Sequence, residues 1–285
     1  MLRIVTDGAA DMPVHWPKEY QIDVIPLMVR FGEETFLVDE SMPPERFYQL
    51  VRLKKMIPKT SLPSPGQIAD FYRNIARKGD TILSVHLASR MSGTFAAVQM
   101  AAREVMDEFR IHTLDSGAGS AALGFMCRQA RLMDQAGESA AAIVRALENK
   151  TRKLAVAFTL DNLEFAHMSG RISALQNILS SVLRIKPIII LRDGLLQIGD
   201  KVRTRQRALD KVVEVVKQKI GSSAVHIAVV HAADPDTAAY LMEKIKAVAN
   251  FKDLVVTELA IPVAANLGPG TVGIVAYPVE ETAGI

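Results

Sequence analysis

Residues 81–109 limit what this chain can fold into more than any other stretch. Thr81 to Leu87 is a short apolar run rich in β-formers, and Phe95, Val98, Ala102, Val105 and Phe109 then recur at helical spacing. A buried strand therefore turns directly into an amphipathic helix, with Ser92, Gly93 and Thr94 at the junction. In an open α/β sheet such a junction lies at the carboxyl end of a strand and the amino end of a helix. Unpaired N–H groups and the positive end of the helix dipole face outward there, and an anion is the natural guest.

The same alternation runs through the chain. Leu2 to Thr6 reads as a first strand ending in Asp7-Gly-Ala-Ala-Asp11, Ile22 to Val29 as a second, and Phe31 to Val38 as a small hairpin around Gly32. Asp7 and Asp11 could hold a metal or a hydroxyl, but with no third acidic partner nearby the simpler reading is that they cap the next turn. A helix follows from Glu45 to Lys55, then a stiff loop from Lys59 to Gly66. Ser64 and Gln67 have capping-box spacing and Pro65 suits a first helical position, which leaves Thr60 and Ser61 unexplained unless they bond their own backbone. The strand Arg110–Asp115 and helices at 120–135 and 139–150 complete a βαβα half, so a first domain of residues 1–151 is expected to be a three-layer α/β/α unit with a mainly parallel sheet.

Residues 152–285 read as a second α/β domain with a mixed sheet. Strands are expected at 153–158, within 178–191, at 195–203, 225–230, 254–259 and 272–277, and Asp193-Gly194 joins the second and third of these as a hairpin. A short helix at 160–168 and longer ones from Thr204 and from Asp234-Pro235 lie between them, and Ile261 to Gly270 leads to the last strand, with Asn266 to Gly270 read as a polar cluster on a loop.

The chemistry is restricted by what is missing. The chain of 285 residues is 49% hydrophobic with net charge +3, and its densest basic stretch, Lys201 to Lys211, lacks interleaved aromatics, which argues against nucleic acid. The single cysteine, Cys127, sits in a helical apolar segment and reads as core in a reducing compartment. No apolar run reaches the ~20 residues needed to cross a bilayer, so a cytoplasmic protein without stable membrane insertion is expected. Ser92 is not in a nucleophile elbow, no zinc pattern occurs, and His15, His86, His112, His167, His226 and His231 fit no triad spacing; His86 and His231 at strand ends read best as satisfied structural histidines. Gly117 and Gly119 are not a dinucleotide fingerprint. What remains is four polar clusters at element ends: Thr60-Ser61, Ser92-Gly93-Thr94, Arg171 with Arg203, and Asn266 to Gly270. Together they suit a carboxylate or phosphate receptor better than a catalyst.

Val5-Thr-Asp-Gly-Ala-Ala-Asp, Lys59-Thr-Ser-Leu-Pro-Ser-Pro-Gly, Met91-Ser-Gly-Thr, Leu114-Asp-Ser, Ser169-Gly-Arg-Ile, Ile185-Lys-Pro-Ile, Val202-Arg-Thr and Gly268-Pro-Gly-Thr-Val-Gly resemble, in order, the motifs of the DegV family. The resemblance implies a two-domain bacterial fatty-acid-binding protein with no catalytic residue, metal or cofactor. It implies a long-chain fatty acid whose carboxylate is held by Thr60 and Ser92 with Ser61, Gly93 and Asn266 nearby, and whose tail lies in the first domain. Arg171 and Arg203 are implied as supporting or partner-facing, the partner being a separate fatty acid kinase that makes an acyl phosphate for phospholipid synthesis. Asn266 departs from the family, which often has a histidine there, and cannot titrate near neutral pH. Ser169 and Gly8 are milder departures. The alternative is a small-molecule phosphotransferase or hydrolase acting at Ser92-Gly93-Thr94.

Overall fold

The computed structural model describes residues 2–173, 175 and 185–279. The first half runs β1 (Leu2–Asp7), α1 (Trp16–Glu19), β2 (Ile22–Ile25), β3 (Met28–Phe31), β4 (Glu34–Leu37), α2 (Pro44–Lys54), β5 (Lys59–Ser61), α3 (Pro65–Ile75), β6 (Thr81–His86), α4 (Thr94–Glu104), β7 (Arg110–Asp115), α5 (Ala121–Gln135) and α6 (Ala140–Thr151). The second runs β8 (Ala155–Thr159), α7 (Glu164–Ser169), β9 (Ile172–Ser173), β10 (Lys186–Arg192), β11 (Leu195–Val202), α8 (Arg205–Ile220), β12 (Val225–His231), α9 (Pro235–Lys246), β13 (Phe251–Glu258), α10 (Ile261–Leu267) and β14 (Val272–Pro278). The part of the strand expectation falling on 178–184 lies outside the described residues.

Four parallel strands in the order β2-β1-β6-β7 form the first sheet. Both its faces are covered, which is why its strands are apolar at nearly every position. Val5 and Ile82 pack with Ile68 and Tyr72 of α3 and Val98 of α4, while Ile4, Leu83 and Val85 belong to a core that contains Phe125 of α5. The second sheet has seven strands, β13-β12-β14-β8-β10-β11-β9, with parallel and antiparallel pairs. One face buries Ile227 and Val229 under α8 and α9; the other turns Ala228 and Val230 toward the core shared with the first half. Helix α5 touches β1 and β6 of one sheet and β12 and β14 of the other, and Ala121 through Cys127 are all buried along it. The layers therefore run helices, parallel sheet, α5, mixed sheet, helices.

Local signals account for most boundaries. Ser64 Oγ accepts from Gln67 N while Gln67 Oε1 accepts from Ser64 N, the reciprocal cap expected of that spacing. Asp193 (φ 50°) and Gly194 (φ 73°) make the tight turn between β10 and β11.

The structure corrects four expectations. The apolar run Ile22–Val29 is two strands in different sheets, because Pro26 cannot donate to a ladder; β2 pairs with β1, whereas β3 pairs antiparallel with β4 and β5 in a small separate sheet. The loop expected from Lys59 begins as β5, with Thr60 opposite Val29. The helix expected to reach Phe109 stops at Glu104, although Val105 and Phe109 remain buried, so their spacing marked burial rather than helical continuity. Asn266, expected on a loop, lies inside α10, which is opened by Pro262 in its first turn and closed before Gly268. No helix among the described residues is long and apolar enough to cross a membrane.

Candidate functional site

Three elements remote in sequence converge beside the end of β6. After that strand Met91 N and Ser92 N both donate to Ala88 O, at 2.9 and 3.2 Å, which tightens the chain into a turn. Ser92 Oγ accepts from Thr94 N at 3.2 Å and lies 2.8 Å from Thr94 Oγ1, with Gly93 at the N-cap of α4. Strand β5 supplies Thr60 and Ser61, whose hydroxyls have no hydrogen-bond partner among the described residues. Helix α10 supplies Asn266, which donates one amide hydrogen to Pro262 O at 2.7 Å and retains a second.

Thr60, Ser61, Ser92, Gly93, Asn266 and Arg171 all line one groove of about 150 Å³, together with Leu62, Leu87, Met91, Val263 and Leu267. Its lining contains one cation and no carboxylate. Arg171 is exposed, and its guanidinium donates to Ser169 O. Arg203 follows β11 as an exposed residue and does not line the groove.

The groove leads into an apolar cavity of about 80 Å³, and Leu87, Met91, Leu196, Val263 and Leu267 line both spaces. Farther in, Val156, Phe158, Val230 and Ile274 of the mixed sheet face Gly119 and Ser120 of the first half. The slot thus takes its walls from both halves, unlike a slot inside the first domain. Gly119 packs tightly here: a Cβ at that position would lie 2.5 Å from Leu87 Cδ1 and push that side chain aside.

Buried carboxylates hold these pieces in place. Asp7 Oδ2 accepts from Leu87 N at 3.0 Å and lies 2.9 Å from His86 Nδ1; Oδ1 accepts from Ala9 N at 3.0 Å. His86 Nε2 lies 2.7 Å from Ser84 Oγ, itself 2.8 Å from Tyr72 Oη. The order Asp-His-Ser mimics a hydrolytic triad, but Asp7, His86 and Ser84 are 0% exposed and the hydroxyl is occupied by His86 and Tyr72. This network is scaffolding, and His86 is the satisfied structural histidine expected.

Asp11 differs from its expected role. It does not cap its own turn: Oδ1 accepts from Ala260 N at 2.6 Å, at the start of α10, and Oδ2 accepts from Ser120 Oγ. Burial pushes its pKa up to about 7, against the lowering effect of both bonds. Ser120 is a non-glycine residue at φ 58°, a strained backbone held by Ser120 N donating to Ala9 O at 2.9 Å. Cys127 is buried core, its thiol pushed up to about 12 by desolvation.

The sequence pointed to the polar end of the groove and missed its apolar walls. Leu87, Met91 and Val263 carry no signature that separates a groove wall from ordinary core. Asp7 and Asp11 stood out as a pair, but their partners lie up to 249 positions away.

Residues 1–279 match the model of a family described as uncharacterised proteins of the DegV family. A DegV domain-containing protein of Streptomyces coelicolor is 33% identical over 274 residues, covering 95% of this chain and 96% of that protein. Among solved structures, a DegV family protein from Thermus thermophilus, described for its fatty acid binding, superposes with a TM-score of 0.88 at 28% identity, over 98% of this chain and 99% of that one. DegV of Bacillus subtilis, described as a fatty acid binding protein, gives 0.85 at 28% identity over the same shares.

Proposed function

The chain belongs to the DegV family, and from that premise we propose that it binds a long-chain fatty acid without catalysing a reaction on it, and presents the carboxyl end to a separate fatty acid kinase. The observation that carries this reading is the continuity of a donor-lined, carboxylate-free groove with an apolar cavity through five shared side chains. In this reading Thr60 and Ser92 donate their hydroxyl hydrogens to the carboxylate. Gly93 at the start of α4 adds a backbone N–H and the positive end of the helix dipole. Asn266 turns its second amide hydrogen inward. The tail then runs between the two halves, along Leu87, Met91 and Val263.

The energetics favour such a ligand. Each buried CH₂ contributes about 0.8 kcal/mol, so a long tail supplies most of the affinity. The head determines orientation, because a carboxylate stripped of water without donors costs several kcal/mol. Arg171 and Arg203 are exposed and suit a partner-facing role, in which a cytoplasmic kinase would transfer the γ-phosphoryl group of ATP to a carboxylate oxygen, releasing ADP.

The test is direct. Protein purified from bacteria, denatured and extracted, should release a fatty acid detectable by mass spectrometry, and delipidated protein should rebind palmitate or oleate. Neither release nor rebinding would end the reading. Acyl phosphate formed from the loaded protein, ATP and a fatty acid kinase, and absent without the kinase, tests the second step.

A further inference from the structure

A cavity of about 580 Å³ lies outside the groove, between the end of α6, β8, β10 and α8. That volume is within the range of small-molecule sites. Leu154, Val156, Ile190 and Val216 give it an apolar floor, and the exposed side chains of Arg152, Arg192, Asp193 and Lys219 stand where it opens to solvent. Among the described residues none of the three cations has a hydrogen-bond or ion-pair partner. Arg152 is the C-cap of α6 and Lys219 lies in the last turn of α8, where the helix dipole favours a cation. Arg192 ends β10 and has no dipole to answer. Three elements therefore bring unpaired positive charge to one opening.

The three cations outnumber the carboxylate of Asp193 by two charges. A phosphate monoester carries about −1.5 to −2 at pH 7 and offers three acceptor oxygens, which matches that surplus, whereas a carboxylate would leave part of it unanswered. Guanidinium and ammonium groups that are already exposed give up little hydration to form charge-assisted hydrogen bonds. We propose that this cavity is a ligand site separate from the acyl groove, taking a phosphate monoester with an apolar body. The body rests on the floor of Leu154, Val156, Ile190 and Val216, and the phosphate accepts from Arg152, Arg192 and Lys219. Its ligand enters from solvent, and the site stands without the fatty-acid reading.

The experiment titrates 1-naphthyl phosphate into the full chain by calorimetry at low salt, alone and with palmitate present. Saturable binding with Kd below about 1 mM is expected in both cases. 1-Naphthoate and inorganic phosphate, lacking the second charge and the apolar body respectively, should each bind several-fold more weakly. The triple variant Arg152→Ala, Arg192→Ala, Lys219→Ala should weaken naphthyl phosphate by about tenfold or more. Asp193→Asn should strengthen it by about two- to threefold, a gain that damage to the fold would not produce. No saturable binding below about 1 mM, a triple variant that binds as the parent does, an Asp193→Asn protein that binds no more tightly, or naphthoate or inorganic phosphate binding as tightly as the ester overturns the proposal. Displacement of naphthyl phosphate by palmitate also overturns it, since the probe would then lie in the acyl slot. If palmitate fails to bind while naphthyl phosphate behaves as expected, the fatty-acid reading falls and this site stands.

Discussion

Asp11 Oδ1 accepts the backbone N–H of Ala260 at 2.6 Å although 249 positions separate the two residues. The bond ties the loop after the first strand to the start of α10, the helix that carries Asn266, Val263 and Leu267 into the groove. A buried carboxyl therefore fixes one wall of the candidate groove, with Ser120 on its other oxygen and Tyr48 near enough to feel its charge.

That carboxyl makes stability depend on pH in a defined direction. Burial holds the pKa of Asp11 at about 7 in the fold, against the ordinary aspartate value of 3.8 that it takes in the unfolded chain. Between these values the folded state holds a proton that the unfolded state has lost, so unfolding free energy should fall as pH rises through this window and level off above it. Asp11→Asn reproduces the protonated pattern, accepting from Ala260 and donating to Ser120, and should flatten the slope. Urea midpoints measured from pH 4 to pH 8 on both proteins check this; parallel curves would remove Asp11 as the cause.

At the groove, Ser92→Ala and Thr60→Ala should each weaken fatty acid binding by roughly tenfold, the weight of one hydrogen bond to a charged group. Both side chains are only partly buried, so melting temperatures should move by no more than a few degrees. Palmitate titration alongside thermal melts separates the two effects.

Asn266 gives a sign test for the head group. Asn266→Asp keeps the size and places a carboxylate in a lining that has none, and it should weaken a fatty acid by about tenfold or more at pH 7 and low salt. A neutral long-chain alcohol should be affected far less. Equal losses for acid and alcohol would mean that the acyl head does not face Asn266.

His86→Ala removes the ring beside Asp7 and leaves a fully buried carboxylate with backbone donors alone. The cost should be about 3 kcal/mol in unfolding free energy. Since Asp7 also receives Leu87 N at the start of the loop that carries Ser92 into the candidate groove, palmitate affinity should fall together with stability. A variant as stable as the parent would show that the Asp7–His86 contact carries little weight.

Local devices were readable and long-range ones were not. The Ser64–Gln67 cap, the Asp193-Gly194 turn and the strand-to-helix junction at Ser92 are each determined by neighbours within a few residues, so their residue types announce them. Pro26 divided an apolar run that looked continuous, because hydrophobicity records burial and not which sheet does the burying. Helix α10 was hidden by its seven residues, too few to show a period, and by a glycine and a proline just past its end. The polar residues of the groove were visible as hydroxyls that their own loops did not need. Its apolar wall was not, because Leu87 and Val263 come to line the groove only once two sheets close on α5.

The last described strand carries a further implication. β14 lies inside the seven-stranded sheet, antiparallel to β12 on one side and β8 on the other. Until Val272–Pro278 is in place, β13-β12 and β8-β10-β11-β9 are two separate groups of strands, each with one open edge where β14 belongs. The seven-stranded sheet, and the groove walls drawn from both halves, can therefore close only after β14 has been made, which keeps non-local pairing to a late step of folding.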